Sequence, residues 1–140
     1  MRPEALEALR GCELILHAGD VGNPAVLDAL QELAPVHAIR GNVDARPWAD
    51  ELPETLELAI GGVRLYMLHD FKRLDFDPAE RGFRIVVSGH SHRPELREEG
   101  GVIYLNPGVA GPRRFKLPIA LARLRVIPRK VSVEQLRLLP

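Results

Sequence analysis

Apolar residues in this chain come in short runs, each stopped by glycine, proline or a small polar cluster, and few are long enough for a helix. Residues 2–9 are an exception: Pro3, the acidic Glu4 and Glu7, and leucines three apart at Leu6 and Leu9 predict a short amphipathic helix. Residues 13–17 form an apolar run that ends at Ala18-Gly19-Asp20 and predict a buried strand delivering a loop. Asn23 as cap, with Pro24 behind it, starts a second helix through about Leu33. A further apolar run at 36–39 ends at Gly41-Asn42-Val43-Asp44. From residue 55 the period shortens. Strands are predicted at 55–60, 63–68, 84–88, 94–98, 102–105, 119–126 and 131–138, with Gly61-Gly62 turning the first pair and one helical turn at 78–81. An alternating α/β half is thus followed by a β-rich half, with no solenoid repeat and no low-complexity linker. The expectation is one α/β domain over residues 1–140 with two sheets.

Composition narrows the partners. The 140 residues carry 19 basic and 19 acidic side chains, so no net field draws the molecule to nucleic acid or to an anionic membrane. Aromatic residues make up 5%, too few to suggest a base-stacking platform. Neither a long apolar span nor a signal-peptide pattern is present, and the single cysteine, Cys12, excludes an internal disulfide framework. A reducing cytoplasm is the expected address, with Cys12 a small core side chain and not a nucleophile.

The candidate chemistry sits where the apolar runs stop. Asp20 follows the first strand, Asn42 the second, His69 the run Tyr66-Met67-Leu68, and His90 and His92 occur in Gly89-His90-Ser91-His92. Strand ends are where α/β sheets gather ligands. Singly, each motif is an ordinary turn signal. In this order they supply a carboxylate, an amide oxygen and several imidazoles, a donor set suited to Mn, Fe, Zn or Co over Ca or Mg. Residues 90 and 92 share a side of an extended segment, and a glycine before them permits a tight turn.

Gly19-Asp20, Gly41-Asn42-Val43-Asp44, the strand ending in His69, Gly89-His90-Ser91-His92 and the tail Tyr104-Leu105-Asn106-Pro107-Gly108 together resemble the YfcE-like phosphodiesterases of the calcineurin-like metallophosphoesterase superfamily, over residues 13–126. The resemblance implies a four-layer α/β/β/α sandwich of two facing mixed sheets with two metals between them. It implies Asp20 as the bridging ligand, Asn42, His69 and His90 completing one metal site, and His92 belonging to the other. It also implies hydrolysis of a small or nucleotide-like phosphoester by water that the metals activate, with Mn the first choice of ion and Zn, Fe or Ni the others.

Two departures shape the expectation. The family's first motif, Asp-x-His at the end of an N-terminal strand, has no counterpart, so the chain is read as N-terminally incomplete, with its first strand missing and one metal, or none, in place of two. A sheet short of one strand would leave an edge that a second copy of the chain could cover. Val43 stands where many superfamily members carry a proton-donating histidine, which restricts acid catalysis of leaving-group departure. The alternative to an enzyme is a binding scaffold that kept the fold, as one superfamily member did. His17 reads as a core or hydrogen-bonded side chain and His37 as uninvolved. Arg40, Arg113 and Arg114 are solvated surface groups or phosphate contacts, and the roles of Asp70 and Asn106 are left open.

Overall fold

The computed structural model describes residues 11–18, 24–41, 52–89, 95–106, 119–127 and 130–139. The predicted helix at 2–9 lies outside them. Three short elements come first: β1 (Ile15–His17), α1 (Pro24–Gln31) and β2 (Val36–Ala38). The two strands pair in parallel, Leu16 opposite His37, and Leu30 of the helix is buried against Ile15 and Ala34. Cys12 packs, half-buried, into the same cluster, as its small apolar side chain suggested. The helix stops two residues before the predicted end because the chain tightens there: Leu33 N–H donates to the Leu30 carbonyl, and Pro35 follows.

The central sheet has five strands in the order β3-β4-β5-β7-β6: β3 (Thr55–Ile60), β4 (Val63–Leu68), β5 (Phe83–Val87), β6 (Glu95–Glu99) and β7 (Val102–Asn106). β4, β5 and β7 run parallel, and β3 and β6 are antiparallel partners at the two sides. Strand chemistry follows position. The parallel strands read as near-continuous apolar runs because both faces are covered. Leu65, Met67, Ile85, Val87 and Ile103 face inward with Leu16 of β1 and with Ala18 and Ile39, the residues just after β1 and β2, while Leu68, Val86 and Val102 face the other way with Tyr66, Leu74 and Tyr104. β3 alternates exposed and half-buried residues, and its Leu56, Leu58 and Ile60 join the inner cluster. β6, Glu-Leu-Arg-Glu-Glu, is exposed throughout and ends the sheet with charge, which discourages pairing with another chain.

α1, the β1-β2 sheet and the five-stranded sheet therefore stack as successive layers, two sheets facing each other across an apolar interior as the resemblance implied. On the far side the covering segment carries a single 3-10 turn at Phe71–Arg73, followed by Leu74 and Phe76. The helical turn predicted at 78–81 is a series of hydrogen-bonded turns, with the Pro78 carbonyl accepting from both Arg81 and Phe83. The last two strands, β8 (Ile119–Ile127) and β9 (Lys130–Leu139), form an antiparallel ribbon of their own instead of joining either sheet, and Val131 and Val133 pack on the inner cluster.

Candidate metal centre

Parallel pairing sends the carboxyl ends of β1 and β2, and those of β4, β5 and β7, the same way within each sheet. Hydrogen bonds then tie the ends of the two sheets together. Beyond β4, the alternation that turns Leu65 and Met67 toward the β1-β2 sheet carries on to His69. Its side chain is 7% exposed, and Nδ1 lies 2.7 Å from the Ala18 carbonyl oxygen at the end of β1. A carbonyl can only accept, so Nδ1 carries the proton; of the two neutral tautomers this selects the one with its lone pair on Nε2, the form in which histidine ligates a metal.

The His69 carbonyl accepts from Gly89 N–H at 2.9 Å, and the Gly89 carbonyl accepts from the Asn106 side chain at 2.9 Å. Ser88 N–H donates to the Leu105 carbonyl at 2.9 Å. A continuous chain of contacts thus runs from Ala18 through His69 and Gly89 to Asn106, across four strand ends. Gly89 fits because it has no side chain: a Cβ there would meet the Ala18 oxygen at 3.1 Å and His69 Nδ1 at 3.6 Å. The next residue in the chain is His90, and Asp20 follows Ala18 by two positions. Gly41, which precedes Asn42, continues from β2 beside a bond from Arg40 N–H to the Pro53 carbonyl.

Of the five ligands expected from sequence, His69 lies among the described residues, and Asp20, Asn42, His90 and His92 lie outside them. Val43, Arg113 and Arg114 also lie outside. Among the described residues no three His, Cys, Asp or Glu side chains gather. A buried imidazole in its ligating tautomer, held by a backbone carbonyl at the meeting point of two sheets, fits a divalent metal.

Asp70, next in the chain, acts locally, since its carboxylate accepts from Lys72 N–H at 3.0 Å and caps the 3-10 turn. Asn106, ambiguous from sequence, holds the residue before His90. His37 is exposed, while the His17 carbonyl accepts from Ile39 N–H at 3.1 Å. Arg40 pairs with Glu54 at 3.0 Å.

A concave region of about 230 Å³ borders this rim, reaching from Gly89 and Asn106 to Asp70, Lys72, Arg97 and Tyr104. Sequence reasoning missed it, because its walls come from four separated segments. The Asp70-x-Lys72 spacing was the one legible signal, a side-chain cap opening a turn.

The profile of the calcineurin-like phosphoesterase superfamily domain matches residues 1–127, and a probable metallophosphoesterase of Methanothermobacter thermautotrophicus is 36% identical over 143 residues, covering 96% of this chain and 82% of that one. The chain belongs to the calcineurin-like phosphoesterase superfamily. Solved structures share its fold, two of them as follows. Vps29 of Entamoeba histolytica in complex with zinc superimposes with a TM-score of 0.76 at 21% identity, covering 99% of this chain and 90% of that one. An archaeal phosphodiesterase superimposes with a TM-score of 0.77 at 19% identity, covering 95% and 90%. No helix among the described residues is long and apolar enough to cross a membrane.

Proposed function

We propose that the protein is a metal-dependent phosphodiesterase of small or nucleotide-like substrates, acting as one domain, with Asp20, Asn42, His69 and His90 holding a transition metal and His92 serving a second position. The observation that carries this is the His69 tautomer: buried, proton on Nδ1, bonded to Ala18 and adjoining the residue that precedes His90. Membership in a family of metallophosphoesterases supports the reaction class, and the fold shared with an archaeal phosphodiesterase supports the diester.

Manganese is the first choice of ion and zinc the second, since imidazole with carboxylate suits both. A bound cation supplies Lewis acidity, acidifying water and offsetting charge on the phosphate oxygens. The chain's own residues do the positioning. The Ala18 carbonyl orients the His69 ring, and the Gly89 and Asn106 bonds hold the start of the Gly-His-Ser-His segment. Val43 cannot protonate a leaving group, so diesters with good leaving groups react fastest.

Calorimetric titration of Mn into metal-stripped protein tests the ligand set. Binding lost in His90→Ala, with the circular dichroism spectrum unchanged, supports it; unchanged affinity refutes it. The same preparations, assayed on bis(4-nitrophenyl) phosphate, separate the enzyme from a binding scaffold of the same fold: metal-dependent hydrolysis absent from His90→Ala is expected, and metal binding without turnover favours the scaffold.

A further inference from the structure

The cleft beside the rim has a composition of its own. Glu95 lies opposite Asn106 and Arg97 opposite Tyr104 in the β6-β7 register, so all four belong to the face of the sheet turned away from the two-stranded sheet. The 3-10 turn brings Phe71 to the same place, where its ring meets Tyr104 edge to face at 5.5 Å. The Arg97 guanidinium lies over both rings, 4.4 Å from the Tyr104 centroid and 5.2 Å from that of Phe71. A carboxylate of Glu99 pairs with its Nη1. The result is a planar cation held against two aromatic rings by cation–π contact and by an ion pair, on the outermost strand, with Phe71 still 37% exposed.

Charge decides what this surface selects. Asp70 and Glu95 offset Lys72 and Arg97 around the cleft, so it has no net attraction for a second phosphate. What remains selective is the ring and guanidinium surface, which attracts a flat π system through stacking and cation–π contact. Size excludes larger guests: about 230 Å³ is below the range of drug-sized pockets and admits about one ring, not a peptide. Position supplies the link to chemistry. Gly89 and Asn106 line the cleft and also belong to the strand-end network at the candidate metal centre.

We infer that this cleft is the subsite for a planar, aromatic arm of the phosphoester substrate, and that Arg97 selects it; the inference rests on the phosphodiesterase reading for the identity of the rest of the substrate. An ester whose arm is an aryl group or a nucleoside places that ring against Arg97, Tyr104 and Phe71, while its phosphorus faces the rim. Aliphatic arms gain no comparable contact.

Two phosphonates that differ only in the arm test it by binding, without turnover. Phenylphosphonate and methylphosphonate are titrated into Mn-loaded protein and followed by calorimetry and by the amide and arginine side-chain resonances. Wild-type protein is expected to favour phenylphosphonate by about fivefold, with resonances of Arg97 and Tyr104 moving for the phenyl compound only. Arg97→Lys keeps the charge and loses the plane, so the preference falls toward unity, as it does in Arg97→Ala. Arg97 is exposed on an edge strand, and a conserved amide spectrum verifies that each variant is folded. Equal wild-type affinities, no binding of either compound, or a preference that survives both substitutions overturns the inference. A phenyl preference in protein that hydrolyses no diester sinks the phosphodiesterase reading and leaves the aromatic subsite standing.

Discussion

Gly89 is where a single added carbon has the largest consequence for the rim. Its φ lies outside the left-handed region, so the turn-forming role that its place before His90 suggested is not what requires glycine. The constraint is space, because the Ala18 oxygen approaches the position a Cβ would occupy to 3.1 Å, while His69 Nδ1 at 3.6 Å would be in ordinary contact. Gly89→Ala is expected to displace the Ala18 carbonyl, and with it the acceptor of the His69 ring, costing about 1–3 kcal/mol in urea denaturation and weakening Mn binding by about tenfold in calorimetry. An alanine variant with unchanged metal affinity shows that the His69 ring is held by something other than this contact. Residue types and chain order made His69 a candidate ligand. Its partner, a backbone carbonyl 51 positions away, has no residue type to read.

Among the elements, the hairpins were the most legible. Gly61 and Gly62 join β3 to β4 with φ of 57° and 82°, and Gly100 and Gly101 join β6 to β7 with φ of 58° and 81°. Two successive positive φ values define the tight hairpin turn whose twist matches that of its strands, and glycine adopts both without strain. No atom lies within 4 Å of a Cβ built on Gly100, so substitution there tests the backbone alone. Gly100→Ala is expected to cost about 1–2 kcal/mol, read from the urea midpoint at an unchanged slope; a neutral result means the turn relaxes to another type. Strand ends shifted by a residue or so from the sequence reading, for example Phe83–Val87 against 84–88, because pairing partners set where a strand begins. The 3-10 turn at Phe71–Arg73 escaped detection since three residues carry no period, and its Asp70 cap competes with other uses of a carboxylate.

For the whole molecule, the parallel run β4-β5-β7 within the order β3-β4-β5-β7-β6 brings strand ends distant in sequence to one rim. Metal binding at the proposed site would act on the fold as well, since a ligand that binds only the native state stabilises it by mass action. With free Mn at about 100 times its dissociation constant, stability rises by about 2.7 kcal/mol, a Tm increase on the order of 5–10 °C for a chain of this size. Differential scanning calorimetry with and without Mn is expected to record that rise in the wild type and to lose it in His90→Ala. The same increase in both proteins places the stabilising ion elsewhere.

Local pattern and residue chemistry were enough to read most of the strands, the Gly61-Gly62 hairpin and the family, and to nominate Asp20, Asn42, His69, His90 and His92 as a donor set, because propensity and motif spacing act within a few residues. Folding alone decided that the Ala18 carbonyl sets the His69 tautomer, that Asp70 caps a turn, that Asn106 braces Gly89, and that Arg97 lies across Tyr104 and Phe71. The His69, Asn106 and Arg97 contacts cross from one strand end or segment to another, so they depend on which strands become neighbours and in what register. Burial of apolar faces between the sheets sets that arrangement, and no local run of residues encodes it.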